Sequence, residues 1–141
     1  MKRFSTTLAI AAPAERIWQI LTDASAYPTW NSTVDGVDGR IALGEKVTVR
    51  AKISHGRAFP VTVRELEPNK RMVWSSSMPL GLFKGQRTFT LDPLPDGTVE
   101  FAMTEVFTGL LAPLIGKSIP DLQPAFDAFA ECLKACAETA G

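Results

Sequence analysis

The stretch GQRTFTLDPLPDGTVEFAMTEVF, residues 85–107, decides the fold. Arg87, Phe89 and Leu91 alternate along one run; Phe101, Met103, Glu105 and Phe107 alternate along the next. Between them, Pro95-Asp96-Gly97 supplies turn chemistry: proline presets φ and glycine accepts a positive φ. A turn centred on Asp96 sets Leu91 opposite Phe101, Phe89 opposite Met103 and Arg87 opposite Glu105. The ribbon therefore has a largely apolar face with one acid–base pair set into it.

Upstream, the same period of two recurs from residue 33 onward. Val47, Val49, Ala51 and Ile53 alternate with Thr48, Arg50 and Lys52, which marks a half-buried strand. Phe59, Val61 and Val63 form the next row, and a turn at 55–57 would set Ile53, Ala51 and Val49 opposite Phe59, Val61 and Val63. Glu67-Pro68-Asn69-Lys70 is a turn, and Arg71–Ser76 is a further strand whose facing stays open. Leu66 is out of phase with Val63, which calls for a bulge or a twist between them. Met78–Leu82 is a loop, and Gly36 and Gly39 flank a turn.

Before these strands, Arg3–Ala11 reads as a strand, 13–22 as a helix and Ala24–Tyr27 as a second short turn. Asp23 is placed to cap that turn, Pro28 ends it, and Trp30 lies in the exit loop. After the strands comes the apolar bridge Gly109–Pro120. There the period turns helical: Leu122, Phe126, Phe129, Leu133 and Cys136/Ala137 step by three and four. The order is strand, two short helices, six strands, long helix. Strands segregated from a final helix predict an α+β fold with an antiparallel sheet covered by that helix.

Composition bounds the function. The length of 141 residues fits a single domain over 1–141, with 15 Lys+Arg against 15 Asp+Glu and a formal net charge of zero. That balance argues against a nucleic-acid partner. The longest apolar runs fall well short of the roughly 20 residues that span a bilayer, so no stable membrane insertion is expected. Lys2-Arg3 followed by Leu8–Ala12 echoes a signal peptide, but Ser5-Thr6-Thr7 interrupts the run. Without such a signal, the two cysteines point to reduced thiols and a cytoplasmic location. One histidine, His55 in a predicted turn, makes a metal site or a histidine relay a poor fit, and neither metal nor cofactor is expected. Cys132 and Cys136, four apart on one helix, suit neither a disulfide nor a metal; Cys136 reads as core and Cys132 as flank. Gly116-Lys117-Ser118 echoes the end of a phosphate loop without its leading strand, and Asn31-Ser32-Thr33 is a glycosylation sequon without a secretory context.

The order of motifs resembles a known family. The run Ala11-Ala12-Pro13-Ala14-Glu15-Arg16-Ile17-Trp18, then Leu21-Thr22-Asp23, then Tyr27-Pro28-Thr29-Trp30-Asn31 is similar to the opening of the START-like helix-grip superfamily (SRPBCC). The nearest branch is polyketide cyclase/dehydrase and lipid transport. Met72-Val73-Trp74, Gly85-Gln86-Arg87-Thr88-Phe89, Glu105–Leu111 and Leu133-Lys134 resemble later motifs of the same branch. Arg87 departs from the pattern, standing where histidine is common. The resemblance implies a curved seven-stranded antiparallel sheet gripping the C-terminal helix, two short helices after the first strand, and a cavity between helix and sheet.

Within that frame the candidate ligand-binding residues are Trp30, Trp74, Arg87, Phe89, Phe101, Met103, Glu105, Phe107, Phe126 and Phe129. Arg87 and Glu105 are also the candidate catalytic groups. A lone charge on an apolar wall is costly, whereas an Arg–carboxylate pair is tolerable either as a structural tie or as an anchor for a ligand oxygen. The bridge Gly109–Ile115 reads as a lid or a core cover. The leading function is binding of a hydrophobic small molecule (lipid, polyketide or aromatic) in an internal cavity. The alternatives are a polyketide cyclase/dehydrase-like enzyme using that cavity, and a protein-interaction or chaperone-cofactor module. A homodimer is the remaining partner left open.

Overall fold

The structure, a computed structural model, describes residues 2–52, 58–77, 79–115 and 121–139. Strand β1 (Lys2–Ile10) leads into helix α1 (Ala14–Thr22), a 3-10 turn (Ala24–Ala26) and the short helix α2 (Tyr27–Trp30). Strands β2 (Val34–Asp38), β3 (Lys46–Ala51), β4 (Ala58–Glu67), β5 (Arg71–Ser77), β6 (Lys84–Pro93) and β7 (Val99–Thr108) follow. The chain ends with α3 (Ala112–Ile115) and the long helix α4 (Gln123–Glu138). All seven strands form one antiparallel sheet in the order β1-β7-β6-β5-β4-β3-β2. Sequential strands are neighbours, except that β1 closes on β7 and so carries the chain's start to the end of the meander.

The expected α+β helix-grip architecture is the one observed. The concave face of the sheet and the apolar stripe of α4 share one core, in which Phe126, Phe129, Ala130, Leu133 and Ala137 of the helix are buried. Cys136 is only partly buried, contrary to its expected core position; Ala137 takes that place because it lies one step further round the helix, towards the sheet.

The register of the last hairpin matches the expectation: Leu91 pairs with Phe101, Phe89 with Met103 and Arg87 with Glu105. Thr98 donates twice to Asp96 Oδ1, from its backbone N–H at 3.0 Å and its hydroxyl at 2.6 Å, which pins the turn. The β3–β4 register differs from expectation. Val47 pairs with Val61 and Val49 with Phe59, a displacement of four residues. Alternation fixes which face a residue occupies, but an even slip keeps every residue on its face, so the pattern cannot distinguish the two registers. The expected turn at 55–57, His55 included, lies outside the described residues, as does Gly116-Lys117-Ser118.

The phase break between Val63 and Leu66 is a bulge: Val63 pairs with Trp74 and Glu65 with Val73, leaving Arg64 unpaired. The Arg64 Nε–H donates to the buried Ser75 hydroxyl at 3.0 Å, so the extra residue satisfies a polar group on the convex face. Pro28 does not end the second short turn but lies in the first turn of α2, where its missing N–H costs nothing. Trp30 therefore ends a helix instead of sitting in a loop. Asp23 makes no side-chain cap; its carboxylate accepts from the Ser25 hydroxyl at 3.0 Å. Gly36 lies inside β2, opposite Arg50. It flanks no turn, and a Cβ there would collide with the Arg50 guanidinium.

Candidate functional site

The sheet register lines up a transverse row on the concave face. Val63 of β4 pairs with Trp74 of β5, Trp74 with Arg87 of β6, Arg87 with Glu105 of β7, and Glu105 with Phe4 of β1. The bulge at Arg64 resets the phase of β4 and sets Val63 in this row beside Trp74. Trp74 is thus buried beside Phe89, ring centroids 4.8 Å apart and tilted by 63°.

At the centre of the row, the Arg87 Nε–H donates to Glu105 Oε1 at 2.9 Å. The two side chains are 23% and 16% exposed, so the pair is partly desolvated. The Arg87 guanidinium carbon also sits 4.8 Å from the ring centre of Phe126 on α4, a cation–π contact that ties helix to sheet. The positive charge is thus held by a carboxylate on one side and an aromatic face on the other.

The next space towards α2 is an aromatic cluster around Tyr27. Its ring lies 4.8 Å from Trp30, 6.4 Å from Trp74 and 6.3 Å from Phe129. Phe129 in turn meets Trp30 edge-on at 5.5 Å and stacks on Phe101 at 6.2 Å with 8° between planes. The Tyr27 hydroxyl donates to the Leu21 carbonyl at 2.6 Å. Burial pushes its phenol well above the ordinary value of 10.0, and the Arg87 charge pulls it part of the way back. Tyr27 thus stays neutral and serves as the hub of the cluster. Sequence reasoning missed this role, although Tyr27 is the chain's single tyrosine and opens the quoted Tyr-Pro-Thr-Trp-Asn motif.

Two sets of predicted residues are therefore brought together. Trp30, Trp74 and Phe129 surround Tyr27, Phe89 joins through Trp74 and Phe129, Phe101 joins through Phe129, and buried Met103 lies opposite Phe89. Arg87, Glu105, Phe126 and Phe107 form the other set, joined through Phe4, whose ring lies 6.0 Å from Phe126 and 6.4 Å from Phe107. Phe107 stacks on Phe83 at 5.6 Å, where the sheet meets the bridge. There the bridge backbone is clipped to the β5–β6 loop: Leu111 N–H donates to the Leu82 carbonyl at 2.7 Å. Gly109 makes this close approach with φ +116°, and a Cβ there would lie 2.7 Å from the Leu82 oxygen. The bridge covers this end of the core with Ala112 buried, but it leaves Leu110 79% and Leu114 69% exposed.

Aromatic side chains line the space between α4 and the sheet, Phe129 of the helix meeting Phe89 and Phe101 of the sheet at 6.1 and 6.2 Å between ring centres. Two hollows lie elsewhere on the surface. One, of about 310 Å³, lies between Ser25, Pro28 and the Gly36–Gly39 segment beside Arg50. The other, of about 240 Å³, is on the convex face at Lys84, Gln86, Val106 and Thr108.

Helix α4 is held unevenly. Along the β1 and α1 margin the Gln123 amide donates to the Ser5 carbonyl (2.8 Å), the Thr6 hydroxyl to Asp127 (3.0 Å), Lys134 to the Ala9 carbonyl (3.0 Å) and the Ala11 N–H to Glu138 (2.7 Å). Arg16 closes the C-terminus, donating to the carbonyls of Ala137 (2.8 Å), Cys136 (3.1 Å) and Thr139 (3.0 Å). On the side towards α2, among the described residues, the side-chain polar contact is Ser32 Oγ to Cys132 Sγ at 3.4 Å. Among the described residues no cluster of metal-ligating side chains occurs, and no helix is long and apolar enough to cross a membrane.

The family described as polyketide cyclase/dehydrase and lipid transport matches residues 1–139. No curated protein sequence matches. Solved structures share the fold. A hypothetical protein from Helicobacter pylori is 15% identical with TM-score 0.78, over 97% of this chain and 88% of that one. A START superfamily protein from Mycobacterium smegmatis is 19% identical with TM-score 0.69, over 96% and 97%. The Aha1 dimer from Colwellia psychrerythraea is 20% identical with TM-score 0.73, over 99% and 98%. At these identities the likeness is one of fold.

Proposed function

Because the chain belongs to the polyketide cyclase/dehydrase and lipid-transport family, we propose that it binds a hydrophobic small molecule between its curved sheet and α4. The observation that carries this reading is the aromatic cluster around Tyr27, which lines both walls of that space. Aromatic and aliphatic walls with a few placed polar groups are what an apolar ligand site requires. The space is closed by side chains and opens by repacking. The uneven attachment of α4 supports a direction for that motion. Its β1 margin is stapled by polar contacts and acts as the hinge, while its α2 margin, with Trp30 half-buried, swings out.

Titration with a solvatochromic apolar dye, followed by native mass spectrometry, tests the reading. Saturable one-to-one uptake that quenches indole emission is expected. Uptake that never saturates, or no adduct across alkyl and aromatic probes, overturns it.

A second reading, an enzyme of the cyclase/dehydrase kind, is favoured by the position of Arg87 and Glu105 on the inner row with part of each side chain still exposed. There Glu105 moves a proton and Arg87 polarises a carbonyl oxygen. With a polyketone substrate, Glu105→Gln abolishes turnover on this reading while ligand uptake persists. Unchanged turnover rules it out.

A further inference from the structure

Three hydrogen-bond donors in the core, Trp30 Nε1, Trp74 Nε1 and Asn31 Nδ2, are buried and meet no acceptor among the described residues. Trp74 is 3% and Asn31 1% exposed, so bulk water does not reach their side chains. A buried donor left unmade is costly, and native proteins keep few of them. The Asn31 assignment does not depend on an amide flip. Its Oδ1 accepts from the Thr33 backbone N–H at 2.9 Å and from the Thr33 hydroxyl at 2.6 Å. Turning the amide over would set an NH2 group against that backbone donor. The indole N–H groups have no such ambiguity.

None of the described groups around these donors accepts a hydrogen bond from them. The Tyr27 ring lies beside both indoles, and its hydroxyl donates to the Leu21 carbonyl. The Glu105 carboxylate is engaged by Arg87. The chemical complement of a buried, unpaired donor is a group that accepts. It is also uncharged, because the Arg87 charge is already matched by Glu105 and a second anion would enter an apolar core uncompensated.

We infer that the Trp74 indole N–H, buried and unpaired on the concave row beside Arg87, is the donor of a subsite that selects a ligand carrying an uncharged acceptor oxygen of the carbonyl type, over a hydrocarbon or a carboxylate of similar shape. The inference rests on the binding reading above and adds to it the polar group that orients the ligand. Trp74 is then a specificity residue: it makes its hydrogen bond only in the complex.

Fluorene, 9-fluorenone and fluorene-9-carboxylate share one flat body and differ in this group. In titrations of the intact protein, 9-fluorenone should bind about tenfold more tightly than fluorene, the effect of one good hydrogen bond, and the carboxylate more weakly than either. The carbonyl stretch of bound fluorenone should lie below its position in a hydrocarbon solvent. Trp74→Phe keeps an aromatic ring but removes the N–H. It should bring the fluorenone-to-fluorene ratio towards one and return the stretch to higher wavenumber. If Trp74→Phe fails to fold, the carbonyl stretch in the wild-type protein decides. Equal binding of fluorene and fluorenone, or an unshifted stretch, overturns the donor subsite, leaves the binding reading standing and assigns the donors to ordered water. Failure of all three probes to bind overturns both. Tightest binding of the carboxylate overturns the neutrality argument and assigns the site to Arg87.

Discussion

Arg87 and Glu105 stand opposite each other on β6 and β7, and the Arg87 Nε–H donates to Glu105 Oε1 across 2.9 Å on the concave face of the sheet. The pair is half sheltered, which sets its energetics. In full burial, removing one partner costs about 3–5 kcal/mol because the other charge is left uncompensated; exposures of 23% and 16% reduce that. Arg87→Met alone and Glu105→Leu alone should each destabilise by about 1–3 kcal/mol. The double variant should recover most of the loss, since an apolar pair suits the wall. A double-mutant cycle in urea checks this. Additive losses would show that the pair is solvated and contributes nothing as a unit.

The second prediction concerns Arg16, whose guanidinium donates to three carbonyls at the end of α4. A helix C-terminus leaves such carbonyls unpaired and carries partial negative charge, so a cation there is favourable on both counts. Arg16→Ala should cost about 1–2 kcal/mol, while Arg16→Lys, with one compact donor group, should recover only part of it. Amide hydrogen exchange localises the effect: faster exchange should be confined to the last turns of α4. Unchanged exchange there would refute the staple.

These cases show what was legible in the sequence. The Arg87–Glu105 pairing could be read in advance because Asp96-Gly97 fixes the turn, and a fixed turn fixes every pair above it. The β3–β4 pairing slipped by four because residues 49 and 59 carry no such pin, and an even slip leaves each valine on its face. The facing of Trp74 stayed open because the bulge at Arg64 breaks the parity that alternation relies on. Tyr27 escaped notice because one aromatic in a four-residue helix makes no periodic pattern. The Arg16 contacts join residues more than 100 positions apart, which no local pattern encodes. How fully Phe129, Trp30 and Tyr27 fill the groove depends on rotamers and on the depth of sheet curvature. Neither follows from the order of residues.

Acid should loosen the same α4 staple from its other strand. The Ala11 N–H, first, and then Lys134 hold the Glu138 carboxyl below its ordinary value of 4.5. A carboxylate with a lowered folded-state pKa contributes stability above its unfolded-state value, and that contribution is lost as pH falls through the folded-state value. Stability should therefore be level in this respect above pH 4.5 and decline below it. Asp96, held below its ordinary 3.8 by the Thr98 hydroxyl and then the Thr98 N–H, adds to the decline further down. Glu138→Gln should flatten the first part of the slope in melting temperature against pH, and an unaltered profile would remove Glu138 as a cause.

The last prediction tests which side of α4 opens. Ser32 Oγ and Cys132 Sγ are 3.4 Å apart on the α2 margin, and both cysteines of the wild-type chain are free thiols. Ser32→Cys sets a second thiol within bridging reach of Cys132 after a small rotation. Oxidation then ties the helix to the segment after α2, on the side opposite its polar staples. Closing a loop of this length should stabilise the fold by about 3–5 kcal/mol, provided the bridge forms without strain. If α4 swings on its β1 margin, the oxidised variant should take up an apolar probe at least about tenfold more slowly, since opening must now overcome the added stability. Reduction should restore the wild-type rate, and a Cys136→Ala background excludes bridging to the wrong thiol. Equal uptake rates in the oxidised and reduced forms would place the opening elsewhere than on the α2 margin.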